Sequence, residues 1–329
     1  MQPPALRLCT LSIALLSAGI LAGETHRFEP TEFHNTFSFA HKPVLRIRPG
    51  DRVITRTIDA RGFDPENRKV GERSNPQTGP FYIEGAEPGD VLVVQFDKIE
   101  PNRDTAFSSS VLAPYTVDPA FLRFRGEREQ TTEYWQIDKA KGVVRITSDS
   151  FRPRTIELPL RPMLGCVGVA PPRKEAIATS TPDTFGGNMD YNGIVAGVKL
   201  MLPVSEPGAL LFMGDGHARQ GDGEVLGNAM ETSMDVEFRV DLIKNKSIGW
   251  PRIENDDYIM VAGSARPLLQ ALQHATTELQ RWLMEEYGYN ERGSSLLMGH
   301  ALEYDIAQVV DPHFTVVAKL RKGYLVAPR

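Results

Sequence analysis

The stretch from Pro43 to Ala60, PVLRIRPGDRVITRTIDA, decides the reading of the fold. Val44, Leu45 and Ile47 lead into Pro49-Gly50-Asp51, and Val53, Thr55 and Thr57 alternate with other residues after it. β-Branched residues at every second position suit a half-buried strand, and Pro-Gly-Asp supplies the backbone angles of a tight reversal. The stretch therefore reads as two strands joined by a turn. The same punctuation returns in Phe81 to Phe96, FYIEGAEPGDVLVVQF, around Pro88-Gly89-Asp90. It appears a third time where Pro207-Gly208 divides the apolar segments between Pro203 and Met213. Short strands separated by Pro-Gly turns predict a mainly β fold with a sandwich or barrel core, and no solenoid period accompanies them.

Outward from that core the pattern changes. Residues 100–160 hold a polar stretch (Asn102 to Ser110), a mixed-charge stretch (Arg123 to Glu133) and a hairpin signal at Lys141-Gly142, and read as an elaboration of the β core. From Pro267 to Tyr287 the residues Leu268, Leu272, Ala275, Leu279, Trp282 and Leu283 fall at spacings of three and four, which predicts an amphipathic helix stopped near Gly288. A shorter helix over Glu291 to Tyr304 and a closing strand over Phe314 to Leu320 follow. The expected organisation is an N-terminal β domain over 24–165 with an insertion around 100–160, an acidic, glycine-rich β domain over 166–250, and a smaller helical or α+β element over 251–329.

At the other end, Arg7 precedes the uncharged apolar run Leu8 to Ala22, LCTLSIALLSAGILA, and a polar chain begins at Gly23 and Glu24. This is the pattern of a signal peptide over residues 1–22, and it predicts export to the periplasm or beyond. The run is shorter than the ~20 apolar residues of a spanning helix, so no stable membrane insertion is expected after cleavage. Cleavage would remove Cys9 and leave Cys166 as the one remaining cysteine, which excludes an intrachain disulfide. A formal charge of −5 with no cluster of lysine or arginine argues against a nucleic-acid partner and leaves small neutral substrates open.

The chemistry is concentrated between Asp183 and Glu237. Asp183, Asp190, Glu206, Asp215, Asp222, Glu224, Glu231, Asp235 and Glu237 stand there against only Lys199 and Arg219. Carboxylates at that density repel one another unless cations or solvent screen them. Gly214-Asp215-Gly216-His217 and Gly221-Asp222-Gly223-Glu224 place two acid-bearing glycine turns close together, with His217 between them. Glycine permits positive φ and close approach, so such turns can aim short carboxylates at one point. Aspartate, glutamate and histidine together suit a divalent metal, zinc in preference to calcium. A solvated acidic face and a simple His-Asp pair are the plainer readings of the same residues. Cys166, in MLGCVGVAP (Met163 to Pro171), is the candidate nucleophile of a metal-free alternative, although a cysteine flanked by valine is ordinarily a core residue. No G-x-S-x-G, Walker-type or dinucleotide-binding pattern is present, and no organic cofactor is expected.

Taken together, GPFYIEGAEPGDVLVV (Gly79 to Val94), MLGCVGVAP, GGNMD (Gly186 to Asp190), LPVSEPGALLFMGDGHARQGDGEV (Leu202 to Val225) and AQVVDP (Ala307 to Pro312) resemble the acetamidase/formamidase family, in that family's order and from about Thr36 onward. The resemblance implies hydrolysis of a short linear amide to ammonia and a carboxylate, on a β-rich fold with a smaller C-terminal α/β element. It also implies a homo-oligomer and a metal ion in the acidic pocket. Carried over position by position, it points to Asp59, Glu84, Glu87, Asn188, Asp190, Asp215, His217, Gln220, Asp222 and Glu224. Glu224, His217 and Asp190 are the expected catalytic residues. His217, Asp215, Asp190 and Asp59 are the expected metal ligands, and Asn188, Gln220, Glu84 and Phe185 are expected to bind substrate. Two positions depart from the family: Phe185 stands where many relatives have histidine, and Phe37-Ser38 replace a tryptophan-aspartate pair. Those departures leave room for a silent binding or structural protein on the same scaffold.

Overall fold

The computed structural model describes residues 23–125 and 131–327. The stretch read as a signal peptide, residues 1–22, lies outside them. Two large sheets carry the fold. In the first, nine strands run in the order Thr25–Arg27, Arg52–Arg56, Met234–Ile243, Val91–Pro101, Lys199–Pro203, Arg252–Glu254, Tyr258–Ala265, Phe314–Arg321 and Glu303–Gln308. The second has ten. Its main path is Thr155–Pro159, Val143–Thr147, Thr132–Asp138, Thr105–Ser109, Glu231–Thr232, Leu211–His217, Met163–Gly168 and Gly186–Asn188, and Thr78–Ile83 joins Leu211–His217 with Leu45–Ile47 beside it. A two-stranded ribbon pairs Thr36–Ser38 with Ala176–Ala178.

The Pro-Gly turns mark chain reversals, but none of the three closes a hairpin. Leu45–Ile47 belongs to the ten-stranded sheet and Arg52–Arg56 to the nine-stranded one. The pairs Thr78–Ile83 with Val91–Pro101, and Lys199–Pro203 with Leu211–His217, are divided in the same way. Each turn is thus an arch from one layer to the other. A few linking residues span the ~10 Å between packed sheets as readily as the ~4.8 Å between paired strands, so the turn signal alone cannot tell arch from hairpin. The hairpin expected at Lys141-Gly142 is a true one, joining Thr132–Asp138 to Val143–Thr147 in antiparallel register.

The largest apolar cluster takes residues from both sheets, including Val53, Leu92, Phe96 and Phe238 from one and Phe81, Leu164 and Met213 from the other, which makes the core that of a sandwich. Phe81 and Phe238 meet edge to face with centroids 5.3 Å apart. Each such ring, fully buried, is worth about 1.5–3 kcal/mol over an exposed one. The sheets interleave along the chain, so each of them takes strands from both sides of residue 165.

The helix Leu268–Glu286 covers the outer end of the nine-stranded sheet, burying Ala275, Leu279, Trp282 and Leu283 against Ile259, Val261 and Leu320. It gives way at Tyr287, and Gly288 follows with φ 74°, the left-handed C-terminal stop expected of glycine. Beneath it the fully buried Arg252 guanidinium pairs with Glu278 at 2.7 Å. The next helix is shorter than the sequence suggests, Glu291–Ala301, because Leu302 turns extended and Glu303 already pairs with Lys319. Among the described residues no helix is long and apolar enough to cross a membrane.

Candidate active site

Three of the residues with positive φ in this fold are carboxylate residues of the acidic segment: Asp190 (43°), Asp215 (58°) and Glu224 (48°). A side chain held there costs on the order of 1–3 kcal/mol of backbone strain, and such strain gathers at functional sites. The glycines of the sequence motif act as neighbours: they let the chain bend while the acids themselves take the left-handed angle. Asp215 and His217 lie on the strand Leu211–His217, all of it buried, and Asp190 lies two residues beyond the end of Gly186–Asn188. Between these segments runs Met163–Gly168, whose Gly165 carbonyl accepts the Asp190 N–H at 3.0 Å.

The outcome is one enclosed basin. Ligand atoms of Asp190, His217 and Glu224 lie within 4.8 Å of one another, and so do those of Asp215, His217 and Glu231. Asp190 and His217 are wholly buried, while Asp215, Glu224 and Glu231 are 4, 7 and 3% exposed. His217 Nε2 is 3.3 Å from Glu231 Oε1 and 3.5 Å from Asp215 Oδ1. Its other nitrogen, Nδ1, is 2.9 Å from Gln220 Oε1. The Gln220 amide is oriented by its Nε2, which donates to the carbonyls of Asp190 and Ala307, so Oε1 must accept from Nδ1–H. With Nδ1–H engaged by Gln220, Nε2 is the ring nitrogen that faces Glu231 and Asp215.

Asn188 ties the acids together. Its Nδ2 donates to Asp190 Oδ2 and Asp311 Oδ2, both at 2.7 Å, and its Oδ1 accepts from Asn75 Nδ2 at 2.7 Å. Among the described residues no lysine or arginine forms an ion pair with the carboxylate of Asp190, Asp215, Glu224, Glu231 or Asp311, and Arg266 reaches only the Asp311 carbonyl, at 2.9 Å. The charges show it. Burial, and then the charge of Glu224, pushes the Asp190 carboxyl well above its ordinary value. Glu224 is likewise raised by burial and then by Asp311, and Asp311 is pushed up to about 7, chiefly by its removal from water. Burial also lifts Glu231, against the pull of His217. Burial opposes charge on His217, but Glu231 and Asp215 outweigh it and raise the ring; burial pushes Asp215 up, but the His217 charge, together with hydrogen bonds to His217, Glu231 and Asp190, keeps its carboxyl low.

This is an anionic cage short of positive charge, and its geometry accommodates a cation. His217 Nε2, Asp190 Oδ1 and Glu231 Oε2 are buried without any hydrogen-bond partner. A Cβ added at Gly165 would come within 2.2 Å of Asp190 Oδ1 and 2.7 Å of Asp215 Oδ2, so the absence of a side chain at Gly165 keeps the centre of the cage open. One imidazole nitrogen with carboxylate oxygens is a donor set for a divalent metal of zinc type; calcium sites use oxygen.

Four expectations need correction. Asp59 is captured elsewhere: its Oδ2 takes the Arg103 guanidinium at 2.6 Å, and its Oδ1 accepts the N–H groups of Arg61 and Phe63. Glu84 is half exposed and pairs with Arg46 at 2.6 Å. Phe185 is buried in an aromatic cluster against Phe37, at 5.3 Å between centroids, and does not face the basin. Cys166 is fully buried, its Sγ 3.2 Å from the Thr179 carbonyl, and burial, then the nearby acids, pushes the thiol well up, the reverse of what a nucleophile needs. Asp222 is exposed and accepts from Asn192, while Glu87 is exposed in its turn. Sequence reasoning missed Gly165, Glu231 and Asp311 as site residues. Gly165 and Asp311 lay in the quoted MLGCVGVAP and AQVVDP segments, and that was the only pointer to them.

Two hollows border the cage. Glu224 lines a mainly apolar cavity of about 320 Å³ beside Trp135 and Met230, and Glu231 lines a polar groove of about 540 Å³ beside Arg61 and Asn75. Another groove of about 540 Å³, over the long helix at Trp250 and His274, holds none of the five acids.

The sequence pattern described as the Acetamidase/Formamidase family matches residues 24–175 and 172–321. An acetamidase of Yersinia enterocolitica has a crystal structure that superposes with a TM-score of 0.80 at 34% identity, covering 94% of each chain. An acetamidase of Bacillus halodurans gives 0.77 at 28% identity, covering 91% of this chain and 98% of that one. A putative formamidase of Schizosaccharomyces pombe is 25% identical along an alignment of 273 positions that covers 66% of this chain and 66% of that protein. This chain thus spans about two thirds of the length of that curated relative. On a pattern matched across nearly all of the described residues, and a fold shared with solved acetamidases, the chain belongs to the acetamidase/formamidase family.

Proposed function

We propose that the protein is an amidase that hydrolyses the C–N bond of a linear amide to ammonia and a carboxylate. The observation that carries this reading is the cage itself: buried acids around one histidine whose Nε2 is free, opening onto a cavity through Glu224. Family membership supports the same reaction class.

His217 Nε2, Asp215 and Glu231 would hold a divalent cation, zinc in preference to calcium, with Asp190 Oδ1 facing the same space. Such an ion supplies Lewis acidity towards an amide oxygen and acidifies water. Gln220 holds the His217 ring in the tautomer that leaves Nε2 free. Asn188 keeps Asp190 and Asp311 from separating. Glu224, raised by its burial, borders both the cage and the cavity and holds a proton more readily than an ordinary carboxylate, as an acid-base group must. It accepts a proton from the attacking water and delivers it to the amide nitrogen, which must be protonated to leave. The Phe37 and Phe185 replacements fall in the aromatic core and leave this machinery in place, which supports an active enzyme over a silent scaffold. Arg7 and the apolar run after it support export of the mature chain.

The test is Glu224→Gln together with elemental analysis of the purified protein. Ammonia release from acetamide should drop by about 100-fold or more while metal content and folding persist. Full activity of the variant would exclude Glu224 as the acid-base group, and a wild type inert towards every amide would exclude the function.

A further inference from the structure

We propose that the cavity beside Glu224 is an acyl-binding pocket that selects linear amides with a large apolar acyl group over formamide and acetamide. The inference rests on the amidase reading of the cage and specifies its substrate class. Glu224 belongs to the cage and also lines this cavity, as does Gln220, which holds the His217 ring, so the cavity borders the cage on this side. The rest of the wall is chiefly apolar: Trp135, Leu158, Val225 and Met230. Trp135 and Met230 are 9 and 8% exposed, and Val225, at 40%, stands at the mouth. The one other charged group there, Arg219, donates from Nη1 to the Pro159 carbonyl at 2.8 Å.

The wall is rigid, and a segment outside the central sandwich core builds it. Trp135 lies on Thr132–Asp138 and Leu158 on Thr155–Pro159, outer strands of the ten-stranded sheet formed by the 100–160 elaboration. Those strands have their own apolar cluster, in which Trp135 packs with Ala106, Ile137, Val144 and Met230. The indole N–H donates to Ser108 Oγ at 3.0 Å, and Ser108 donates in turn to the Ser109 carbonyl at 3.0 Å. Its one polar group satisfied, the ring offers the pocket apolar surface in a fixed position.

Size points the same way. A water occupies ~30 Å³ of liquid, so the cavity of about 320 Å³ has room for roughly ten. Formamide or acetamide, a few heavy atoms each, would leave most of it as water against apolar walls. Each methylene that displaces such water is worth about fourfold in binding.

The experiment compares kcat/KM of the full chain for formamide, acetamide, butanamide and hexanamide, and repeats it with Leu158→Trp, which narrows the pocket. Binding without turnover is read from tryptophan fluorescence of Glu224→Gln titrated with hexanamide and with acetamide. Expected are a rise in kcat/KM on the order of 100-fold from acetamide to hexanamide, a hexanamide-to-acetamide ratio at least about tenfold smaller in Leu158→Trp, and a saturable fluorescence change with hexanamide at concentrations where acetamide gives none. If acetamide is turned over as well as hexanamide and hexanamide leaves the fluorescence unchanged, the acyl pocket is overturned and the amidase reading stands. If hexanamide changes the fluorescence but no amide is hydrolysed, the pocket assignment stands and the amidase reading falls. Silence in both measurements overturns both.

Discussion

Gln220 Oε1 accepts a hydrogen bond from His217 Nδ1 at 2.9 Å, and this one contact decides which ring nitrogen faces the acids. Gln220 cannot turn round to offer its NH₂ instead, because that group is already bound to the carbonyls of Asp190 and Ala307. Replacing it by leucine keeps the bulk and removes the lock. Gln220→Leu should weaken metal binding by about 10–100-fold, as loss of an outer partner of a ligand histidine does, measured by competition with a chelator. Unchanged affinity would show that the ring needs no such support.

Gly165 gives a steric test of the same cage. Its hydrogen is aimed between Asp190 and Asp215, so Gly165→Ala should lose bound metal and amide turnover together, at a stability cost of about 1–3 kcal/mol from overpacking. Gly299→Ala is the control, since nothing lies within 4 Å of a Cβ there. In the helix Glu291–Ala301 it should stabilise by roughly 0.5–1 kcal/mol. Full metal content in Gly165→Ala would place the ion elsewhere.

Cys166→Ala separates a core thiol from a nucleophile. Its Sγ is buried against the Thr179 carbonyl, and no base lowers its pKa. The variant should keep the wild-type kcat and lose about 1 kcal/mol of stability to the small cavity left behind. A collapse of kcat with stability preserved would restore the thiol mechanism.

Asp51 provides a pH dependence remote from the cage. Its carboxylate accepts the N–H groups of Glu24 and Arg48 at 2.8 Å each and meets His26 Nε2 at 2.9 Å. Burial pushes its pKa up, but these bonds outweigh burial and hold it below the ordinary carboxylate value. The folded state thus binds this proton less readily than the unfolded chain does. The stabilisation is complete above the unfolded pKa near 4 and is lost as pH falls through the lower folded value. Urea melts should show Asp51→Asn weaker than wild type by about 1–3 kcal/mol at pH 7, with the gap closing below pH 4. A gap independent of pH would assign the effect to shape and not to charge.

The sequence alone determined what is local. The strands on either side of each Pro-Gly turn, the Lys141-Gly142 hairpin, the helix ending before Gly288 and the Gly-Asp-Gly-His string were all legible, because backbone angles and periodicity act between near neighbours. Which strands pair, and what each acid does, was decided only by the tertiary structure. The turns proved to be arches because the choice of layer lies with strands far along the chain. Asp59 was expected beside Asp190 as a metal ligand and Glu84 as a substrate contact, yet Arg103 and Arg46 neutralise them, whereas among the described residues the carboxylates of Asp190, Glu231 and Asp311, near His217, have no lysine or arginine ion pair. A carboxylate acquires its chemistry from the charges and N–H groups that folding brings within a few ångströms, and nothing in the order of residues states that distance.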